Sequence, residues 1–167
     1  FNVIGVGGPI PDNTGGGMGT FPVAIPAAGG ALSTTVTLPS DAATIDAIHL
    51  NGLDHTWIGD LQVVLFDPNG TGHVLVNRVN YMNSSCFGSS CDVNGDYSVV
   101  ESGGLGWPAS SGAGCNNGSE LTAGPYEQYF FADPQGQWSQ GADNIFDTPM
   151  CQIPVVAGGT YELQIYD

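Results

Sequence analysis

The sequence predicts an all-β protein, a two-sheet antiparallel β-sandwich of jelly-roll type. Three observations carry that expectation. Glycine and proline (26 and 11 residues) make up more than a fifth of the 167 positions and are spread along the whole length. No window of about twelve residues holds a helical apolar period free of both. Short alternating or apolar segments recur instead between turn clusters, the pattern of packed sheets.

The elements follow in order. Leu32-Ser33-Thr34-Thr35-Val36-Thr37-Leu38 alternates apolar and polar, as a half-buried strand does. Ala47-Ile48-His49-Leu50 is a second strand, and Asn51-Gly52 after it interrupts the alternation, which predicts a bulge. Leu61, Val63, Val64, Leu65 and Phe66 give residues 61–66 the β-branched and aromatic content of a central strand. Asp67-Pro68-Asn69-Gly70 supplies hairpin chemistry, since Pro presets φ and Asn-Gly tolerates a positive one. His73–Val76, Tyr97–Val100, Tyr129–Phe131 and Tyr161–Ile165 are further strand candidates.

Charge narrows the function classes. There is no lysine and one arginine, Arg78, against sixteen acidic residues, for a net charge of −15. Nucleic-acid binding needs clustered cations to neutralise phosphates, and docking on an anionic membrane needs the same. Composition excludes the first and argues against the second. The longest apolar runs are four to five residues, too short to span a bilayer. The chain opens Phe1-Asn2-Val3-Ile4-Gly5 without a charged leader, which reads as a mature secreted protein. Three N-x-S/T sequons occur, at Asn69, Asn83 and Asn117; such triplets are common by chance and matter only where the source glycosylates them.

His55-Thr56-Trp57-Ile58-Gly59-Asp60-Leu61, the apolar strand, and Pro68-Asn69-Gly70-Thr71 together resemble the signature of the P domain (P/Homo B domain) of subtilisin-like proprotein convertases. Ile10-Pro11-Asp12-Asn13, Leu75-Val76-Asn77-Arg78, Gly141–Ile145 and Gly159–Asp167 extend the likeness. The resemblance implies a sandwich over 32–167 with a long loop insertion at about 79–140, preceded by a Gly/Pro-rich segment, 1–31. It also implies one more strand after Asp167. Either a neighbour's segment 1–31 supplies it, making a copy of the protein its partner, or the strand follows Asp167 in the same chain and the protein is monomeric.

Four cysteines fit an oxidising compartment. Of three connectivities, Cys86–Cys91 with Cys115–Cys151 is expected, because it pins the insertion twice. A four-cysteine zinc site lacks the paired C-x₂-C spacing.

Two kinds of site are expected. Twelve of the acidic residues are Asp, the commonest hard-oxygen loop ligand, and they point to calcium. Asp92-Val93-Asn94-Gly95-Asp96 places oxygens at positions 1, 3 and 5 of a Ca²⁺-wrapping loop, or is an ordinary polar turn. The resemblance adds Asp12, Asp54, Asp60, Asp143 and Asp167 at strand ends, with Asp147 ranked below them. The second expectation is carbohydrate stacking by Trp107, Trp138 and Tyr126, against burial of those rings in the core. His55 beside Asp54 and Asp60 reads as a backbone-binding strand end, and no nucleophile-elbow or H-E-x-x-H motif is present. No catalytic residue is assigned, and the chain is not expected to be an enzyme. The function expected is a secreted, calcium-stabilised structural or assembly module. The alternative is a carbohydrate-binding or adhesive module.

Overall fold

The computed structural model describes residues 3–5, 7, 31–80, 88–108, 119–130 and 142–167. Among them lie eight strands, two short 3₁₀ turns and no α-helix. The strands are β1 (Ala31–Thr37), β2 (Ala47–His55), β3 (Gln62–Phe66), β4 (Gly72–Asn77), β5 (Val93–Val100), β6 (Gly124–Glu127), β7 (Ile145–Phe146) and β8 (Thr160–Tyr166). They form a five-stranded sheet, β1-β8-β3-β4-β7, and a three-stranded sheet, β2-β5-β6.

One apolar core serves both sheets. Leu61, Val63, Leu65, Leu75, Tyr161 and Ile165 come from the larger sheet and its turns, and Leu50, Val93, Tyr97, Val99 and Tyr126 from the smaller. Two sheets closing on a shared core is an all-β arrangement of the sandwich kind. β3 lies at the centre of the larger sheet, as its apolar run predicts. The β3–β4 hairpin turns through Asp67–Thr71, where Gly70 takes φ +81° and Asp67 Oδ1 accepts the Asn69 and Thr71 N–H groups. The bulge expected at Asn51-Gly52 is also present: Leu50 pairs with Tyr97 and Leu53 with Gly95, leaving two residues opposite one. Gly52 takes φ +66° there, and its N–H donates to Asp96 Oδ1 at 2.8 Å.

Three expectations need correction. The sheets are mixed rather than antiparallel, since β7 runs parallel to β4 and β6 parallel to β5. Both strands are reached by long connections, which can cross over where a tight hairpin cannot. The region 79–140 is not merely a loop insertion: it supplies β5 and β6, two of the three strands of the smaller sheet. β6 reads Gly124-Pro125-Tyr126-Glu127, and its Gly and Pro disguise it. Pro is tolerated there because, among the described residues, the strand lies at a margin, bridged on its far side by Leu105 alone. The strand expected at Tyr129–Phe131 reduces, in its described part, to a single bridge between Tyr129 and Val76.

Candidate functional site

The segment His55–Leu61 crosses from the smaller sheet to the larger. His55 ends β2, Ile58–Asp60 form a 3₁₀ turn, and β3 follows. The turn fits only because residue 59 is glycine. A Cβ there would lie 2.4 Å from Ser89 N and 2.7 Å from Gly88 Cα, where no side chain fits. The two backbones meet through Gly59 N–H donating to Ser89 O at 3.0 Å.

Four charged side chains gather at this crossing. Arg78, just past β4, holds the turn twice: its backbone N–H donates to Leu61 O at 2.9 Å, and its Nε to Gly59 O at 3.3 Å. Its Nη2 lies 3.7 Å from Asp60 Oδ1. Arg78 sits at φ +44°, a left-handed conformation that non-glycine residues hold only when the surroundings enforce it. On the other side, His55 Nε2 lies 3.5 Å from Asp167 Oδ2, just beyond β8. His55 Nδ1 is 3.1 Å from both the N and the O of Trp57, so the ring binds loop backbone as its position in the sequence suggests. The cluster thus ties the ends of β2 and β8 to the turn before β3.

Its electrostatics follow from burial and from the unequal pairing. Burial pushes the Asp60 carboxyl up to about 6; Asp167 adds to the rise, while Arg78 and His55 oppose it. Burial alone would lower the His55 pKa. The hydrogen bond and charge of Asp167, with smaller contributions from Trp57 O and Asp60, outweigh that and raise it. Each carboxylate therefore already faces a cationic or ionisable partner of the chain itself.

The expected calcium ligands among the described residues fall in separate places. Asp60 and Asp167 belong to the cluster just described. Asp92, Asn94 and Asp96 do not wrap a loop. They alternate with inward-facing Val93 and Tyr97 along or next to β5 and lie on its outer face. The 1-3-5 spacing of a calcium loop is also the period of a strand, so the pattern fits a strand that neither the loop nor the turn reading anticipated. Asp54 pairs opposite Asn94 in β2, Asn94 Nδ2 donates to Glu120 Oε1 at 3.3 Å, and Asp96 is held by Gly52. Asp143 and Asp147 are exposed on either side of β7. Asp12 lies outside the described residues. Among the described residues no three His, Cys, Asp or Glu side chains come together as a metal-holding group.

Two of the three expected sugar-stacking aromatics lie together. Tyr126 is 3% exposed, with its hydroxyl donating to Thr122 O at 2.9 Å. Trp107 lies half-buried across it, ring centroids 4.4 Å apart, and its Nε1 donates to Glu127 O. The sugar-stacking role expected of Tyr126 fails because its ring is core, and Trp107 spends one face on covering it. Trp138 lies outside the described residues. Cys151 is a free, exposed thiol, so the expected Cys115–Cys151 bridge is not formed. Cys91 is buried and disulfide-bonded; Cys86 and Cys115 both lie outside the described residues.

Sequence reasoning passed over Arg78 as a site residue. The signal was available: a chain of net charge −15 that keeps one cation has a specific use for it. No protein-family model, curated protein or solved structure matches this chain.

Proposed function

We propose that this chain is a non-catalytic, secreted β-sandwich module of P-domain-like, jelly-roll type that builds an extracellular layer, matrix or fibre through contacts between copies. One observation carries the reading. Large apolar side chains stand exposed at the margins of both sheets, on a surface with no lysine to keep margins apart. Phe146 on β7 is 54% exposed and Leu105 beside β6 is 46% exposed. Ile4, 84% exposed, belongs to the Val3–Gly5 segment that lies against Thr34 and Val36 of β1. Lysine and other charges at strand edges normally discourage such contacts.

Charge then sets the conditions. The one arginine is buried on Asp60, so the surface presents carboxylates with no lysine or arginine to balance them. Copies of such a chain repel at low salt, and a divalent hard cation relieves that repulsion by bridging acidic faces. Calcium enters here as a counter-ion between copies. Sedimentation velocity at low ionic strength tests the reading. Larger species are expected with calcium and a single slow species with chelator. A Phe146→Asp, Leu105→Asp double variant is expected to stay monomeric in both. A wild-type monomer under both conditions would overturn the proposal.

A further inference from the structure

A second polar constellation lies where β7 meets the β3–β4 hairpin. His73 on β4 is 3% exposed. Its Nδ1 lies 3.1 Å from Thr148 Oγ1, and its Nε2 faces Asp67 Oδ2 at 3.6 Å. That nitrogen is fully buried and has no hydrogen-bond partner, the carboxylate being within ionic reach but beyond hydrogen-bond length. Asp67 is fixed by the two hairpin N–H groups on its other oxygen. Burial opposes its charge, but the Thr71 and Asn69 amides and His73 outweigh burial and hold its carboxyl below the usual range. The contacts favour one tautomer, with hydrogen on Nε2 toward Asp67 and a lone pair on Nδ1 toward the Thr148 hydroxyl.

Gln128 completes the corner. Its Nε2 donates to Val74 O and to Thr148 O, both at 3.0 Å, and its Oε1 accepts the Met150 N–H at 2.7 Å. A hydroxyl, a base with an orienting carboxylate, and a carboxamide whose oxygen is already polarised therefore lie around one residue, Thr148. These are the parts of an acyl-transfer site.

We infer that Thr148 and Gln128 are the two halves of a self-formed ester cross-link, with His73 as its general base. Thr148 Oγ1 attacks Gln128 Cδ while its proton passes to His73 Nδ1. The carbonyl electron pair moves onto Oε1, where the Met150 N–H stabilises the developing oxyanion. Collapse of the tetrahedral centre breaks the Cδ–Nε2 bond, and His73 returns the proton to the departing nitrogen. A hydroxyl and a carboxamide become an ester and ammonia, with no oxidant or cofactor consumed. Asp67 acts as a positioning residue, holding the imidazole tautomer and stabilising the transient imidazolium. The product would tie the end of the β6 segment to the loop after β7, which suits a module that works outside the cell.

The mass of the intact, reduced native chain tests this without any substitution. The expected mass is that of the sequence less one ammonia molecule, with pepsin digestion yielding a linked pair of peptides carrying residues 128 and 148. T148V is expected to restore the sequence mass and T148S to keep the loss. D67N is expected to slow the appearance of the lighter species in chains that are folded by circular dichroism, which a carboxylate serving only the hairpin would not do. An unaltered native mass would overturn the inference. So would conversion of Gln128 to Glu, which would make water the nucleophile. Ammonia loss confined to an Asn-Gly pair such as Asn69-Gly70, with no linked peptide, would overturn it equally.

Discussion

The two sheets share a core but treat solvent differently. In the larger sheet, β4 is buried at all six positions and β3 at four of five. In the smaller, β5 alternates buried with exposed or half-buried side chains. The difference comes from what lies over the outer face of the larger sheet. Ala142 and Ile145 pack with Val64, Phe66 and Tyr166 into a second, minor core. The cover is anchored by polar groups: Ala142 N–H donates to Gln62 Oε1 at 2.8 Å, and Gln62 Nε2 donates to Asn77 Oδ1 at 3.0 Å. The smaller sheet has no such cover among the described residues, and its outer face carries Asp54, Asn94 and Asp96. A strand buried on both faces reads as a continuous apolar run, and one buried on a single face reads as alternation.

That contrast predicts where the molecule breaks. Leu75→Ala removes a fully buried side chain from the shared core and is expected to cost about 2–5 kcal/mol, read by denaturant unfolding. Asn94→Ala on the outer face of β5 is expected to stay within about 0.5 kcal/mol. Gly59→Ala should approach the first value although it adds a single methyl group, because its Cβ meets the backbone of Gly88 and Ser89, which has no flexible end to move aside. An effect near that of Asn94→Ala would show that the crossing between the sheets yields easily.

The junction also has a pH signature. The folded pKa of Asp60 is raised to about 6 and that of His55 is raised as well, so the native state binds more protons than the unfolded chain at both sites. Stability from Asp60 therefore grows as pH falls through about 6 toward its unfolded value of 3.8, and His55 adds in the same direction from above its ordinary 6.5, opposite to the usual carboxylate trend. Asp67, whose folded pKa is lowered, works the other way and withdraws its contribution below the unfolded carboxylate range. The melting temperature is expected to rise modestly on mild acidification. Asp60→Asn should flatten part of that rise, and an unchanged profile in the variant would remove Asp60 from the account.

Legibility in the sequence follows the same division. The central strand, its hairpin turn and the bulge at Asn51-Gly52 were readable because each rests on local chemistry: an apolar run, an Asn-Gly turn, a glycine breaking an alternation. β6 and β7 were not, since a Gly-Pro start and a two-residue strand are held in place by neighbours distant in sequence. The site residues divide likewise. His55 on the Trp57 backbone was readable, whereas its partner Asp167 and the Arg78–Asp60 pair come from strand ends that only the finished fold brings together. Asp92-Val93-Asn94-Gly95-Asp96 misled because a period of two serves a loop around an ion and a strand over a core equally well.

Amide hydrogen exchange of the native chain weighs the two sheets directly. β3 is bonded to a neighbour on both sides, whereas β2 pairs with β5 alone among the described residues. The Val63, Val64 and Leu65 amides are expected to exchange only through global unfolding. The amides of Ala47–Leu50 and of Glu127 are expected to exchange earlier, through local opening of the smaller sheet. Equal protection in the two sheets, or faster exchange in β3 than in β2, would contradict the division of labour between them.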